Sequence, residues 1–272
     1  MKRSPQRQGH LFLGFVPFFQ KELLEWRHEK QAAIALLILL PLLLGLASLG
    51  GMRFFSWQTG QPLPPSDLTL AGSFFASSPA WILPITLLLS IGIIPRELDQ
   101  GTLAWNLTKP LSRSEFLLGK WLSHTLVIWV VGVVFTNVIS FVMTAIALGW
   151  ATPDLIAIVS SHITALCTIA FWVLVCILLG FILKDQAAII ATASSIAAIG
   201  FLLPNLPSAL GFFMELSESS LETIRLLTQL YPSNTVDWPT QLSTPFKPLA
   251  YGLYMAGIAM AIKMIFDRRE YQ

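Results

Sequence analysis

Long apolar runs separated by short polar segments dominate the pattern of this chain. A membrane-spanning helix needs about 20 mostly apolar residues, and six windows of the 272-residue sequence meet that requirement. The windows lie at about 32–51, 74–94, 121–146, 155–183, 187–203 and 249–266. The pattern therefore predicts an all-α integral membrane protein, with six transmembrane helices in a single polytopic membrane domain over residues 1–272.

Composition strengthens this interpretation. Hydrophobic residues make up 54% of the chain and charged residues only 12%, whereas a soluble domain carries about 25% charged residues. The composition therefore argues against a soluble globular protein. The net charge of +2 is uninformative by itself. We expect membrane lipid and no nucleic acid among the partners.

The distribution of basic residues predicts the orientation of the spans. With the N-terminus in the cytoplasm, 14 of the 17 Lys and Arg residues fall on the cytoplasmic side and 3 on the other, as the positive-inside rule requires. The three outer residues are Arg53, Arg225 and Lys247. Six spans then place both termini in the cytoplasm. We expect a multi-pass protein of the cytoplasmic (inner) membrane. Residues 208–247 form the largest predicted extracytoplasmic loop, with a short amphipathic helix marked by Leu221, Ile224 and Leu227.

Residues 17–30 have the pattern of an amphipathic helix that lies in the membrane interface. Phe19, Leu23 and Trp26 recur at helical spacing, and charged residues occupy most other positions. Such a helix serves either as a simple anchor leading into the first span or as a surface that also contacts a cytoplasmic partner.

A charged, punctuated segment, residues 95–117, separates the second and third spans. Ser112 and Glu115 fit a capping box, and Leu111 and Phe116 fit a hydrophobic staple, so we predict that the third helix begins near Arg113. The segment would be cytoplasmic in the predicted orientation.

The first half of this segment predicts a rigid turn. Helix is expected to continue from the second span to about Gln100, where Gly101 suits the position after a helix end. Thr102 is expected to cap a second short helix. Glu97, Asp99 and Glu115 would then be presented to the cytoplasm.

No charged residue lies at the middle of a predicted span, and the polar residues found deep in the spans are uncharged. Asn137, Ser140 and Thr144 share one face of the third helix, and His162 lies in the fourth. Hydrogen bonds between helices are the simpler explanation of these groups, and the face of the third helix is also a candidate lining for a translocation path.

The sequence from Glu97 to Lys120, ELDQGTLAWNLTKPLSRSEFLLGK, resembles the permease subunits of type-2 ABC exporters. The similar features are Glu97 followed by Gly101-Thr102, the stretch LTKPLSR, and a Gly-Lys pair at the start of the third span. Six spans, an amphipathic N-terminal helix with a Lys21-Glu22 pair and a large outer loop also match coarsely.

This resemblance implies a permease that exports or flips a substrate while a separate ATPase hydrolyses ATP. Two cytoplasmic ATPase subunits, carrying ATP and Mg, would bind a pair of permeases formed with a second copy of this chain or with a related one. The residues implied in coupling are Lys21, Glu22, Glu25, Glu97, Asp99, Gly101 and Thr102.

The chain itself is not expected to be an enzyme or to bind a cofactor or metal. It contains no GxxxxGK[ST] phosphate-binding loop, so ATP hydrolysis belongs to the partner. A secondary transporter is a weaker alternative because no acid lies near the span-interrupting prolines, Pro41 and Pro84. A non-transporting membrane scaffold or assembly factor stays open.

Overall fold

A computed structural model of the chain describes residues 14–39, 43, 54, 57–60, 79–102, 111–139, 141–142, 155–183, 185–203, 206–207, 217–235 and 246–268. All regular secondary structure among these residues is helical. The α-helices are α1 Phe15–Glu29, α2 Pro79–Ser90, α3 Pro95–Asp99, α4 Arg113–Trp129, α5 Leu155–Leu183, α6 Gln186–Leu202, α7 Glu218–Gln229 and α8 Phe246–Arg268. Residues 31–39 are also helical. This agrees with the predicted all-α class.

Three helices of the described part are long and apolar enough to cross a membrane. They are Arg113–Ile139, Ile158–Leu183 and Phe246–Arg268, which correspond to the third, fourth and sixth predicted spans. Helix α6, in the position of the fifth, is apolar but shorter. More than half of the first predicted span lies outside the described residues, whereas the second is described from Pro79 onward.

Helix α5 is the centre of the packing. It contacts α2, α4, α6 and α8, and Ile169, Trp172, Val173 and Phe181 along it are fully buried. Of the 18-residue apolar window in α5, 72% is buried inside the protein, against 11% for α8. Because α8 is as apolar as a spanning helix should be, its uncovered sides are suited to contact with lipid.

Helix α4 begins where the local sequence predicts. Ser112 accepts a hydrogen bond from the backbone N–H of Glu115, and the Glu115 carboxylate accepts one from the N–H of Ser112, which completes the capping box. Leu111 and Phe116 are both buried in the main apolar cluster, as a hydrophobic staple requires. The α-helix gives way to a π-helix at Val130–Phe135, which the sequence analysis did not predict.

The end of the second span differs from the prediction. Helix α2 ends at Ser90, a turn occupies residues 91–94, and α3 begins afresh at Pro95. Proline has no N–H to donate to the preceding turn, which explains why the helix does not run on continuously. Gly101 follows α3 with φ of 66°, a left-handed conformation that glycine adopts without strain, so the predicted helix end is confirmed.

Helix α7 confirms the short amphipathic helix predicted near residue 221. Ser217 caps it by accepting a hydrogen bond from the N–H of Ser220. Two tyrosines beyond α7 anchor this region to the apolar helices: the Tyr231 hydroxyl donates to the Ile196 carbonyl at 3.3 Å and the Tyr254 hydroxyl to the Leu230 carbonyl at 2.9 Å.

Candidate functional site

Helix α1 packs lengthwise on the first half of α4. Its buried residues Phe18, Glu22 and Trp26 are spaced by four, so they share one helix face. The Phe18 and Phe116 ring centroids are 5.3 Å apart, and those of Trp26 and His124 are 5.1 Å apart. Because the contacting positions rise together in both helices, α1 and α4 run in the same direction.

This face agrees only in part with the apolar positions named from the sequence, since Trp26 is the one of the three that is buried. Phe19 is only half-buried and Leu23 is exposed, whereas the acidic Glu22 is fully buried. The prediction of a helix was correct, but its inward face is set by a charged contact with α4. Val16, Leu23 and Leu24 are left exposed on the other sides.

A buried lysine, Lys120 of α4, lies between α1 and α3, two segments that carry part of the resemblance. Its Nζ is 2.9 Å from the Glu22 Oε2, an ion pair without the angle of a hydrogen bond, and it donates a hydrogen bond to the Glu97 carboxylate. The side chains of Lys120, Glu22 and Glu97 are 3%, 0% and 9% exposed. We call these three residues the buried triad.

Close backbone packing holds the triad in place. A Cβ on Gly119 would lie 2.5 Å from the Phe18 ring, so only glycine lets α1 approach α4 this closely. A Cβ on Gly180 of α5 would lie 2.9 Å from Ile94, just before α3. Glu97 is held further by Thr102, whose hydroxyl donates a hydrogen bond to the Glu97 carboxylate. Thr102 thus contacts Glu97, and the short helix it was expected to cap lies outside the described residues.

Further charged groups of α1 surround the triad. Lys21 lies 3.2 Å from Glu22 and 3.1 Å from Glu25, and Lys30 lies 3.7 Å from Glu25. Partial burial opposes the charge on Lys21, but the Glu22 and Glu25 carboxylates outweigh it and raise the pKa of Lys21. Burial also favours neutral Glu25, yet Lys120 and Lys30 lower the pKa of Glu25 below its ordinary value. Both shifts favour the charged forms, so Lys21 and Glu25 form a pair of opposite charges.

Lys30 and His124 close one side of the cluster. Burial lowers the pKa of Lys30, and Glu25 opposes this effect only in part. Lys30 Nζ lies 4.6 Å from the Trp26 ring centroid and 3.3 Å from His124 Nε2. His124 Nδ1 is 3.0 Å from the Lys120 carbonyl. Because a carbonyl oxygen can only accept a hydrogen bond, Nδ1 is the donor there, and in the neutral ring Nε2 is the acceptor towards Lys30.

A polar cleft of about 150 Å³ opens beside these groups. It is bounded by α1, the α2–α3 turn and α4, and both acids and bases line it, including Glu25, Lys30, Arg96, Glu97 and Lys120. Among the described residues, no group of three or more His, Cys, Asp or Glu side chains is placed to hold a metal ion. One ammonium group on α4 thus contacts a carboxylate of α1 and a carboxylate of α3.

The structure brings most, but not all, of the predicted coupling residues together. Lys21, Glu22, Glu25, Glu97 and Thr102 belong to this charged cluster. Asp99 and Gly101 lie outside it, exposed at the end of α3.

The expectation that three acids face the cytoplasm is wrong for two of them. Taken over the whole residue, backbone included, Glu97 and Glu115 are each only 7% exposed. Glu97 is turned inward by Lys120, and Glu115 is used by the capping box that starts α4. Asp99 is the one of the three that is exposed.

Sequence reasoning did not identify Lys120 and His124 as site residues. A signal for Lys120 was present: the residue lies two turns inside a helix whose start is well marked, and an apolar run follows it directly. A lysine in such a position needs an anionic partner once buried. Nothing local to the sequence indicates which acids supply it.

The candidate lining of the third span is a helix-to-helix contact where it is described. The Asn137 amide donates to His162 Nε2 at 3.0 Å, and the Trp129 indole donates to the His162 carbonyl at 3.1 Å. These bonds join the helix that continues α4 to α5, which confirms the predicted interhelical hydrogen bonding for Asn137 and His162. Ser140 and Thr144 lie outside the described residues.

Comparison with known proteins identifies the family. The model of the ABC-2 family transporter proteins matches residues 18–266, a range that contains α2 to α7, all of α8 except its last two residues and all of α1 except its first three. No curated protein showed significant similarity to the chain. The matched range covers most of the 272 residues, and the apolar helices agree with a multi-pass membrane protein. The chain therefore belongs to the ABC-2 family of transporter proteins, as a membrane permease.

Proposed function

We propose that this chain is the membrane-spanning subunit of an ATP-driven exporter whose ATP is hydrolysed by two separate cytoplasmic ATPase subunits. The ATP and Mg would be bound by those subunits, and the permease would pair with a second copy of itself or a related chain. Membership of the ABC-2 family supports the permease role. The distribution of basic residues supports six spans, cytoplasmic termini and a location in the cytoplasmic membrane.

The observation that carries the coupling proposal is the contact of Lys120 with two carboxylates, an ion pair with Glu22 and a hydrogen bond to Glu97. Helix α1 and helix α3 are separate along the chain, yet both are joined through one buried ammonium group to α4. A push on α3 would therefore move α1 and α4 with it. Since α4 continues into a spanning helix, motion at the cytoplasmic surface would reach the membrane interior.

The ATPase would contact the exposed end of α3. Asp99, Gln100 and Gly101 are exposed there, directly beyond the inward-facing Glu97. In this assignment Asp99 contacts the ATPase, while Glu97 transmits the movement without touching it. The two residues, which sequence reasoning grouped together, then have separable roles.

Co-purification of the chain with the ATPase subunit of its transporter tests the docking surface. Asp99→Arg should reduce the recovered ATPase by at least about tenfold, because an unfavourable charge contact of about 1.4 kcal/mol gives that factor. Glu222→Arg, an equally exposed reversal on α7, is the matched control. Equal recovery with both variants would exclude the end of α3 as the docking surface.

Reporter fusions test the orientation. Fusions after Gln272 and near Ser217 should report opposite sides of the membrane, with Gln272 cytoplasmic, because the 14 to 3 division of basic residues assigns them so. A finding that both fusions lie on the same side would contradict the six-span arrangement.

A further inference from the structure

An apolar cavity of about 350 Å³ lies between α4, α5 and α8, away from the buried triad. This volume is within the range of small-molecule sites. Leu118 and Trp121 of α4, Leu174 and Ile177 of α5, and Met255 and Ile262 of α8 contribute to its walls. The cavity opens between helices that are apolar enough to span the membrane, so its surroundings are lipid.

The wall of the cavity is almost wholly apolar, and its two hydrophilic residues lie at one rim. Ser114, in the first turn of α4, and Lys263, near the end of α8, line it there. The start of α4 and the end of α8 also meet beside this rim. Arg113 Nη1 lies 3.9 Å from Asp267 Oδ1 and donates a hydrogen bond to the Phe266 carbonyl at 2.6 Å. Exposed charged groups of this kind mark the height of the membrane interface.

Lys263 is the charged residue that lines this cavity, and its side chain is exposed. None of the ion pairs among the described residues includes it. Arg113, by contrast, is already engaged by α8. The cavity thus combines a long apolar pocket with a cation whose charge is not balanced by a carboxylate in the described part of the chain.

The walls extend from the interface towards the membrane interior. From Lys263 back to Met255 the helix rises by roughly 12 Å at about 1.5 Å per residue. From Ser114 to Trp121 in α4 the rise is similar, roughly 10 Å. An occupant with an anionic head at Lys263 would therefore place an apolar chain alongside Trp121 and Met255.

We propose that this cavity binds one anionic phospholipid from the leaflet that contains the N-terminal end of α4. The phosphate would lie at Lys263 and Ser114, and one acyl chain would fill the apolar part. Basic pockets between spanning helices are known to select anionic headgroups. The proposal concerns a bound lipid and does not depend on the identity of the transported substrate or on the ATPase.

Native mass spectrometry of the full chain purified in detergent tests the site. The protein is titrated with phosphatidylglycerol or with phosphatidylethanolamine carrying the same acyl chains. Wild type should retain one phosphatidylglycerol per chain in preference to phosphatidylethanolamine. Lys263→Ala should weaken phosphatidylglycerol binding by about fivefold, the usual contribution of one interfacial cation, and leave phosphatidylethanolamine binding unchanged.

Two further variants distinguish a built site from lipid that merely coats the protein. Arg268→Ala removes an exposed cation from the same helix end, outside the cavity lining, and should bind as wild type does. Ala259→Phe would fill the cavity and should lower retention of both lipids. Equal retention of the two lipids by wild type, or equal loss in Lys263→Ala and Arg268→Ala, would overturn the proposal.

Discussion

Replacing Lys120 by methionine is the sharpest test of the buried triad. Methionine has a similar length and keeps the apolar part of the contact with Phe116, but it removes the positive charge. Glu22 and Glu97, 0% and 9% exposed, would then face each other without the cation between them. Removing one partner of a buried ion pair typically costs about 3–5 kcal/mol, because an uncompensated charge is left inside.

The expected effect is large enough to measure by thermal unfolding in detergent. For a chain of this size about 1 kcal/mol corresponds to roughly 2 °C in Tm, so Lys120→Met should lower Tm by roughly 6 to 10 °C. Lys21→Met is the matched control, because Lys21 also pairs with Glu22 yet is 49% exposed. A half-exposed pair contributes about 0–1 kcal/mol, so the control should lose at most about 2 °C.

A second variant separates the charge from the shape. The triple change Glu22→Gln, Lys120→Met and Glu97→Gln removes all three charges together. Apolar or neutral replacement of a whole buried ion cluster is often close to neutral for stability, so much of the lost Tm should return. Stimulation of the ATPase by the permease should nevertheless be lower than with wild type, because the triple variant lacks the charge contacts that join α1 and α3 to α4. Equal Tm values for Lys120→Met and Lys21→Met would refute the reasoning.

Three smaller perturbations test the surrounding packing by the same unfolding measurement. Gly119→Ala should destabilise by about 1–3 kcal/mol, because the new Cβ would meet the Phe18 ring; Gly252→Ala, with nothing within 4 Å of its added Cβ, should not. Gly101→Ala has open space around it but a φ of +66°, and should cost about 1 kcal/mol through backbone strain alone. Asn137→Ala should cost roughly 0.6 kcal/mol, the average for an interhelical hydrogen bond in a membrane. Losses of equal size at Gly119 and Gly252 would contradict the close approach of α1.

Features set by neighbouring residues were predictable from sequence. The start of α4 follows from Ser112 and Glu115, which are three residues apart and satisfy each other. The end of α3 follows from the glycine at 101. These signals act within a single helical turn, so no knowledge of the fold was needed.

Features set by distant residues were not predictable. The buried face of α1 depends on Lys120, which is remote in sequence, and the apolar spacing of Phe19 and Leu23 indicated a different face. The π-helix at Val130–Phe135 lies in a uniformly apolar run whose residues give no local sign of it. In both cases packing between helices, not local preference, decides the outcome.

The pairing of α1 with α4 also fixes where α1 can stand. Each helix presents an aromatic residue, a charged residue and another ring at successive turns: Phe18, Glu22 and Trp26 against Phe116, Lys120 and His124. A slip of one turn, about 5.4 Å, would place Glu22 against either Phe116 or His124 and leave Lys120 facing a ring. These contacts therefore oppose sliding of α1 along α4. A movement of α1 during a transport cycle would have to be a tilt, or a shift in which α1 and α4 move together.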